Sequence, residues 1–140
     1  MTTDADDGAL AAPDAATALW RRARPFLEEA LEHANGSHQL EDVVKAIGDG
    51  QLQLWLGERC AGVTEILRFP RRRVLNLFLV GGDLAEMKTL QPGVEAFARG
   101  HACTAIMFHG RLTGAAKRSS GWARAWPDYE PQWICMSKDL

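Results

Sequence analysis

Paired cysteines are missing from this sequence. Its three, Cys60, Cys103 and Cys135, show no CxxC spacing, and an odd number leaves any disulfide framework incomplete. Neither a zinc knuckle nor a stapled fold is expected, and each thiol, in or beside an apolar strand-like run, reads as a buried side chain in a reducing compartment. Long apolar runs are missing too. None approaches the roughly 20 residues of a membrane span, so no span is expected. The first residues, MTTDADDGALAAPDAAT, lack the basic and apolar segments of a signal peptide. Net charge is only −2, which gives no global attraction to nucleic acid or membrane. Tyrosine occurs once, at Tyr129.

What is present suffices for one globular core. With 140 residues, 46% of them apolar, the chain can bury a core without staples. Charge is uneven along it. Residues 1–14 carry Asp4, Asp6, Asp7 and Asp14 without a base, and residues 111–124 carry Arg111, Lys117, Arg118 and Arg124 without an acid.

Residues 1–14 read as a disordered acidic tail. Residues 15–36 read as an N-terminal helical arm with the stripe Ala23, Leu27, Ala30 and Leu31, and Pro25 predicts a kink or a late start. In residues 37–140, a helix capped by Ser37 repeats Leu40, Val43, Val44 and Ile47. The period then drops to two. QLQLWLG, CAGVTEILRF and VLNLFLV form three strands whose short connections predict an antiparallel meander. After Gly81-Gly82 a central helix carries Leu84, Met87, Leu90, Val94 and Phe97, with a break expected at Pro92-Gly93. CTAIMFHG is a fourth strand, expected parallel and covered on both faces. Residues 110–121 read as a basic surface loop, WARAW as one helical turn, and QWICMSKDL as a fifth strand. The predicted class is α/β (α+β): a mixed, mostly antiparallel sheet of about five strands with a central β-α-β crossover, helices on its faces and the N-terminal arm.

Three places invite chemistry. LVGGDLAEM sets two glycines between a strand and a helix start, the local geometry of a phosphate cradle. Asp83 as a simple N-cap is the plainer reading, because Asp83 and Glu86 put negative charge where a phosphate would sit. Arg71, Arg72 and Arg73, with Arg111, Lys117, Arg118 and Arg124, make two basic segments that suit an acidic partner protein. They suit nucleic acid less, for want of interleaved exposed aromatics. Trp122 and Trp126, i and i+4 beside the second segment, could form a partner-binding patch. His101, Cys103 and His109 do not cluster as a ligand set, and no metal is expected.

The element order from residue 38 onward resembles the core of the GNAT acyltransferase superfamily. At motif level the chain resembles small proteins of tailed bacteriophages and prophages that look like degenerate GNAT domains. The residues carrying this are EDVVKAI, LWLGER, VTEI, FPRRRVLNLFLVGGDL, EAFARGHAC, GWARAWPDY and the terminal KDL. The resemblance implies a phage context; taken with the missing acyl-CoA loop, it leads to the expectation of a virion component or assembly accessory, in the particle or in the host cytoplasm, that binds other phage proteins in multiple copies without catalysis or cofactor. It also implies the alternative, an N-acetyltransferase. Acetyl-CoA would then lie at Gly81, Gly82 and Asp83, with Glu65 as base and Tyr129 as acid. GNAT enzymes hold the pyrophosphate with an Arg/Gln-x-x-Gly-x-Gly/Ala loop, and VGGDLAEMKTL lacks its basic residue and its spaced glycines.

Overall fold

The computed structural model describes residues 15–34, 36–109, 112–113, 119–120, 125–132 and 136–140. The chain divides into two compact units, Met1–Ile106 and Met107–Leu140.

Helix α1 runs Ala15–Leu31 and α2 runs Leu40–Gly48. Strands β1 (Leu52–Leu56), β2 (Cys60–Arg68) and β3 (Arg73–Gly82) follow, then α3 (Leu84–Gly100) and β4 (Cys103–Phe108). The sheet order is β1-β2-β3-β4, and the meander is antiparallel as expected, with Leu54 opposite Val63 and Glu65 opposite Asn76. The sheet is mixed, so β4, reached through α3, is the parallel addition.

Period-two alternation sorts the strands onto two faces. Leu52, Ala61, Val63 and Leu79 pack with Ala23, Leu27 and Ala30 of α1 and Val43 of α2. On the opposite face Leu75, Trp55 and Ile66 pack with Val94, Ala98 and Phe97 of α3. Thr64, fully buried on this second face, accepts from Trp55 Nε1 at 3.0 Å and donates to Gln53 Oε1 at 2.8 Å, so its hydroxyl is satisfied. Gly62 also lies on this face, where a Cβ would collide with the Met87 side chain.

Several expectations are corrected. The N-terminal helix is no loose arm, since Ala23 and Leu27 are fully buried in the main core. It also runs unbroken through Pro25. A proline inside a helix costs about 3 kcal/mol; here the buried stripe lies on both sides of it, so burial offsets that cost. Likewise α3 continues through Pro92. Helix α2 begins three residues after Ser37. The backbone N–H of Gln39 donates to Asp42 Oδ2 at 2.8 Å, while Ser37 Oγ pairs with His38 Nδ1. Strand β3 includes both glycines. A bulge leaves Phe78 without an opposite residue, because Val63 faces Leu79 and Thr64 faces Leu77. At the end of the described sheet order, β4 is only half-buried rather than covered on both faces.

In the second unit, Leu112–Thr113 (β5) pairs antiparallel with Ser119–Ser120 (β6), where a loop was expected. The sheet has four strands among the described residues. Residues 136–140 are not strand, and residues 133–135, the rest of the expected fifth strand, lie outside the described residues.

If α1 is integral, Leu27→Ala should lower unfolding free energy by about 2–5 kcal/mol in urea denaturation. A loss under about 0.5 kcal/mol would mean the helix is a dispensable arm.

Candidate functional site

The corner between β3 and α3 is built from donors and the carboxylates that fill them. Gly81 lies beneath α1, where a Cβ would strike the Phe26 carbonyl oxygen, so glycine is needed for this close approach. Gly82 takes φ 94°, a left-handed conformation, and its N–H donates to Glu29 Oε1 at 2.9 Å. Asp83 is the N-cap of α3 and accepts from the N–H groups of Ala85 (2.9 Å) and Glu86 (3.4 Å). Its own N–H donates to the Arg59 carbonyl at 2.8 Å. Glu86 reaches to the β1–β2 turn and accepts from the N–H groups of Glu58 (3.1 Å) and Arg59 (2.7 Å). Arg59 Nε returns to Asp83 Oδ2 at 3.1 Å, and Arg22 donates to the Gly57 carbonyl at 3.1 Å.

The electrostatics agree with the geometry. The hydrogen bond from Arg59, then those from backbone N–H groups, hold the Asp83 carboxyl below its ordinary range. Backbone donation from Arg59, with help from the Cys60 thiol and Glu58, lowers Glu86. Cys60 is fully buried beside Met87, and desolvation first, then Glu86, pushes its thiol up to about 11. That is the inert, structural kind of cysteine. The anion positions of the corner are thus taken by Glu29, Asp83 and Glu86 of the chain itself.

Glu65 lies on the α1–α2 face of β2, half-buried, and accepts from Asn76 Nδ2 at 3.0 Å. Asn76 is 6% exposed, and its Oδ1 is buried without a partner. Tyr129 belongs to the second unit. Its ring packs on Phe108 at 5.1 Å and its N–H donates to the Trp126 carbonyl.

Trp126 is a correction. At 5% exposure, with its ring 5.8 Å from Phe108, it is core filler of the second unit and offers no open patch. Trp122, Arg111, Lys117, Arg118 and Arg124 lie outside the described residues. His101 stacks on Phe97 at 4.1 Å and its Nδ1 meets the Phe97 carbonyl. Among the described residues no cluster of three His, Cys, Asp or Glu could hold a metal ion.

The β2–β3 hairpin does bring Arg71, Arg72 and Arg73 together. With Arg68, Phe69 and Pro70 they line an open cleft of about 540 Å³, closed from below by Ala102 and Thr104. The Phe69 N–H donates to the Arg72 carbonyl at 2.9 Å and fixes the turn. Arg73 donates to the His101 carbonyl at 3.3 Å, which ties the hairpin to the end of α3. Arg68 and Arg73 are cross-strand partners. Among the described residues the side chains of Arg68, Arg71 and Arg72 form no hydrogen bond or ion pair. Sequence reasoning missed Phe69, reading it as the last residue of a strand. The FPRRR run held the signal, since Pro70 ends the strand and leaves the preceding aromatic at the tip.

Comparison with known proteins finds no matching family model, no matching curated protein and no matching solved structure.

Glu86 offers a test of the corner. Its folded pKa is lowered, so its stabilisation is fully present above the unfolded carboxylate range. It is lost as pH falls below that range, through the lowered folded value. Thermal melts of Glu86→Gln should start lower at pH 7 and lose less between about pH 5 and 3 than the parent chain. Parallel curves for the two proteins would remove Glu86 from this role.

Proposed function

We propose that this chain is a non-enzymatic component or assembly accessory of a bacteriophage particle, acting by protein–protein binding on a GNAT-like scaffold. The observation that carries the reading is the Gly82 N–H donated to Glu29. In an acyl-CoA site that donor would be left for pyrophosphate. Here a carboxylate of α1 holds it, Phe26 lies over Gly81, and Asp83 and Glu86 take the neighbouring N–H groups. A phosphate entering this corner would meet three carboxylates and would have to displace a buried helix. The phage resemblance supplies the context, and a function in assembly suits a chain whose anion cradle serves its own stability. No helix among the described residues is long and apolar enough to cross a membrane.

The acetyltransferase alternative rests on Glu65. Its half-buried carboxylate accepts from Asn76, an arrangement that also serves to satisfy a buried amide between β2 and β3. Nothing in that pair requires a substrate.

Two measurements test the reading. Millimolar acetyl-CoA should leave the melting temperature unchanged. Ligand at about 100 times its Kd would add roughly 2.7 kcal/mol and raise the melting point by several degrees, which would favour the enzyme. In particles purified from cells carrying the phage or prophage, peptides of this chain should band with the intact capsids. Their absence from particles and from assembly intermediates would count against the proposal.

A further inference from the structure

The cleft at the β2–β3 hairpin is charged in a way the fold does not use. Arg68 and Arg73 face one another across the ladder. Like charges in directly opposed positions destabilise a strand pair. Arg71 and Arg72 add two more cations at the turn, and all four arginines are exposed. Elsewhere on the same unit four cations meet carboxylates, while Arg22 meets the Gly57 carbonyl and Arg21 stands as a single exposed cation rather than one of a cluster. Arg24 meets Glu28, Lys45 meets Asp49, Arg59 meets Asp83, and Arg99 meets Glu95. At the hairpin no carboxylate lines the cleft.

Amid these guanidinium groups stands Phe69, 50% exposed. An aromatic at a hairpin tip gains nothing by facing water. Its N–H is already committed to the turn, and Pro70 after it restricts its backbone, so the ring is held out by a stiff loop. An acidic protein surface would pair with the arginines, but to use the ring it must also set an apolar pocket among its carboxylates. A nucleic-acid strand would use both, with phosphates on the guanidinium groups and an unstacked base on the ring. Duplex DNA hides its base faces inside the stack, so the exposed ring selects single strands.

We infer that the cleft of residues 68–73 binds single-stranded nucleic acid, with Arg68, Arg71 and Arg72 contacting phosphodiesters and Phe69 stacking on a base. Arg73, tied to the His101 carbonyl, positions the hairpin over Ala102 and Thr104. This activity is separate from the protein binding proposed above and stands or falls without it.

The test is fluorescence anisotropy of the full chain with a short labelled oligothymidylate across about 50 to 200 mM salt. Three phosphate contacts on a single strand give a log–log slope of about −2, so affinity should fall about fifteenfold over that range. Arg71→Ala and Arg72→Ala should each shallow the slope by about 0.7. Phe69→Ala should weaken binding about tenfold and leave the slope unchanged, because stacking releases no counterions. All three residues are exposed, and an unchanged melting temperature will show that the variants fold. Phe69→Trp should restore affinity. Four results would overturn the inference: no binding at about 50 mM salt, an unchanged affinity in Phe69→Ala, tighter binding to a duplex of the same length, or displacement of the oligonucleotide by polyglutamate at equal charge concentration. The last would assign the cleft to an acidic protein.

Discussion

The carboxylate of Glu86 is the joint on which the first unit turns. From the first turn of α3 it crosses to the β1–β2 turn and takes the N–H groups of Glu58 and Arg59. Those donors sit in a tight turn with no strand partner, and an unpaired backbone donor is costly wherever water is partly excluded. The same span fixes where α3 starts relative to the meander, which in turn puts Met87 over Gly62 and Cys60. The Arg59–Asp83 pair adds little by itself, because both side chains are substantially exposed and surface ion pairs contribute about 0–1 kcal/mol. Its use is directional: it keeps Asp83 ionised while Asp83 caps the helix. Remove the carboxylate at 86 and two turns lose their register together.

Helix α1 completes the joint from the other face. Glu29 supplies the acceptor for Gly82, and the backbone at Phe26 occupies the space a side chain at position 81 would need. The helix can therefore come so close only because two successive residues of β3 are glycine. Its continuity through Pro25 follows from the same packing. Ala23 lies before the proline and Leu27 and Ala30 after it, and all three are buried against the sheet. Bending at the proline would lift one end of that stripe into water.

The meander, the helices and the central crossover were legible because their apolar residues repeat at one clear period. Leu52, Leu54 and Leu56 could only face one way, and Val43 and Val94 sit on the stripes their spacing predicts. What was not legible depends on partners distant in sequence. The bulge at Phe78 leaves no trace in VLNLFLV, which is apolar at every position but Asn76, and only the pairing with β2 reveals it. That α1 belongs to the core depends on Gly81, some fifty positions away. At the corner, Asp83 was readable as a cap from its neighbours alone, while Glu29 was not, since its acceptor role arises from a contact between α1 and the end of β3. Phe69 was misplaced because aromatic residues favour strands, whereas the proline after it ends this one at the tip. Trp126 suffered the opposite error: its i, i+4 spacing with Trp122 suggested a patch, yet its ring packs inward with Phe108.

The strand pair β2–β3 carries opposite electrostatic solutions at its two ends. At Cys60 and Gly82 the carboxylates of Glu29, Asp83 and Glu86 meet backbone donors and the guanidinium of Arg59. At Arg68 and Arg73 four guanidinium groups meet no acid. Eight residue steps at about 3.3 Å separate these ends, roughly 26 Å. The Debye length at physiological salt is about 8 Å, so the carboxylates at the corner do nothing to neutralise the tip. A mobile anion near this unit is therefore repelled from the glycine corner that resembles a phosphate cradle and attracted to the hairpin that does not. Motif geometry alone points to the first place, and charge bookkeeping in three dimensions points to the second. An anion cradle functions only while its donors are free, and here they are taken by the chain's own carboxylates, so among the described residues it is the arginine hairpin that gathers cations without acids.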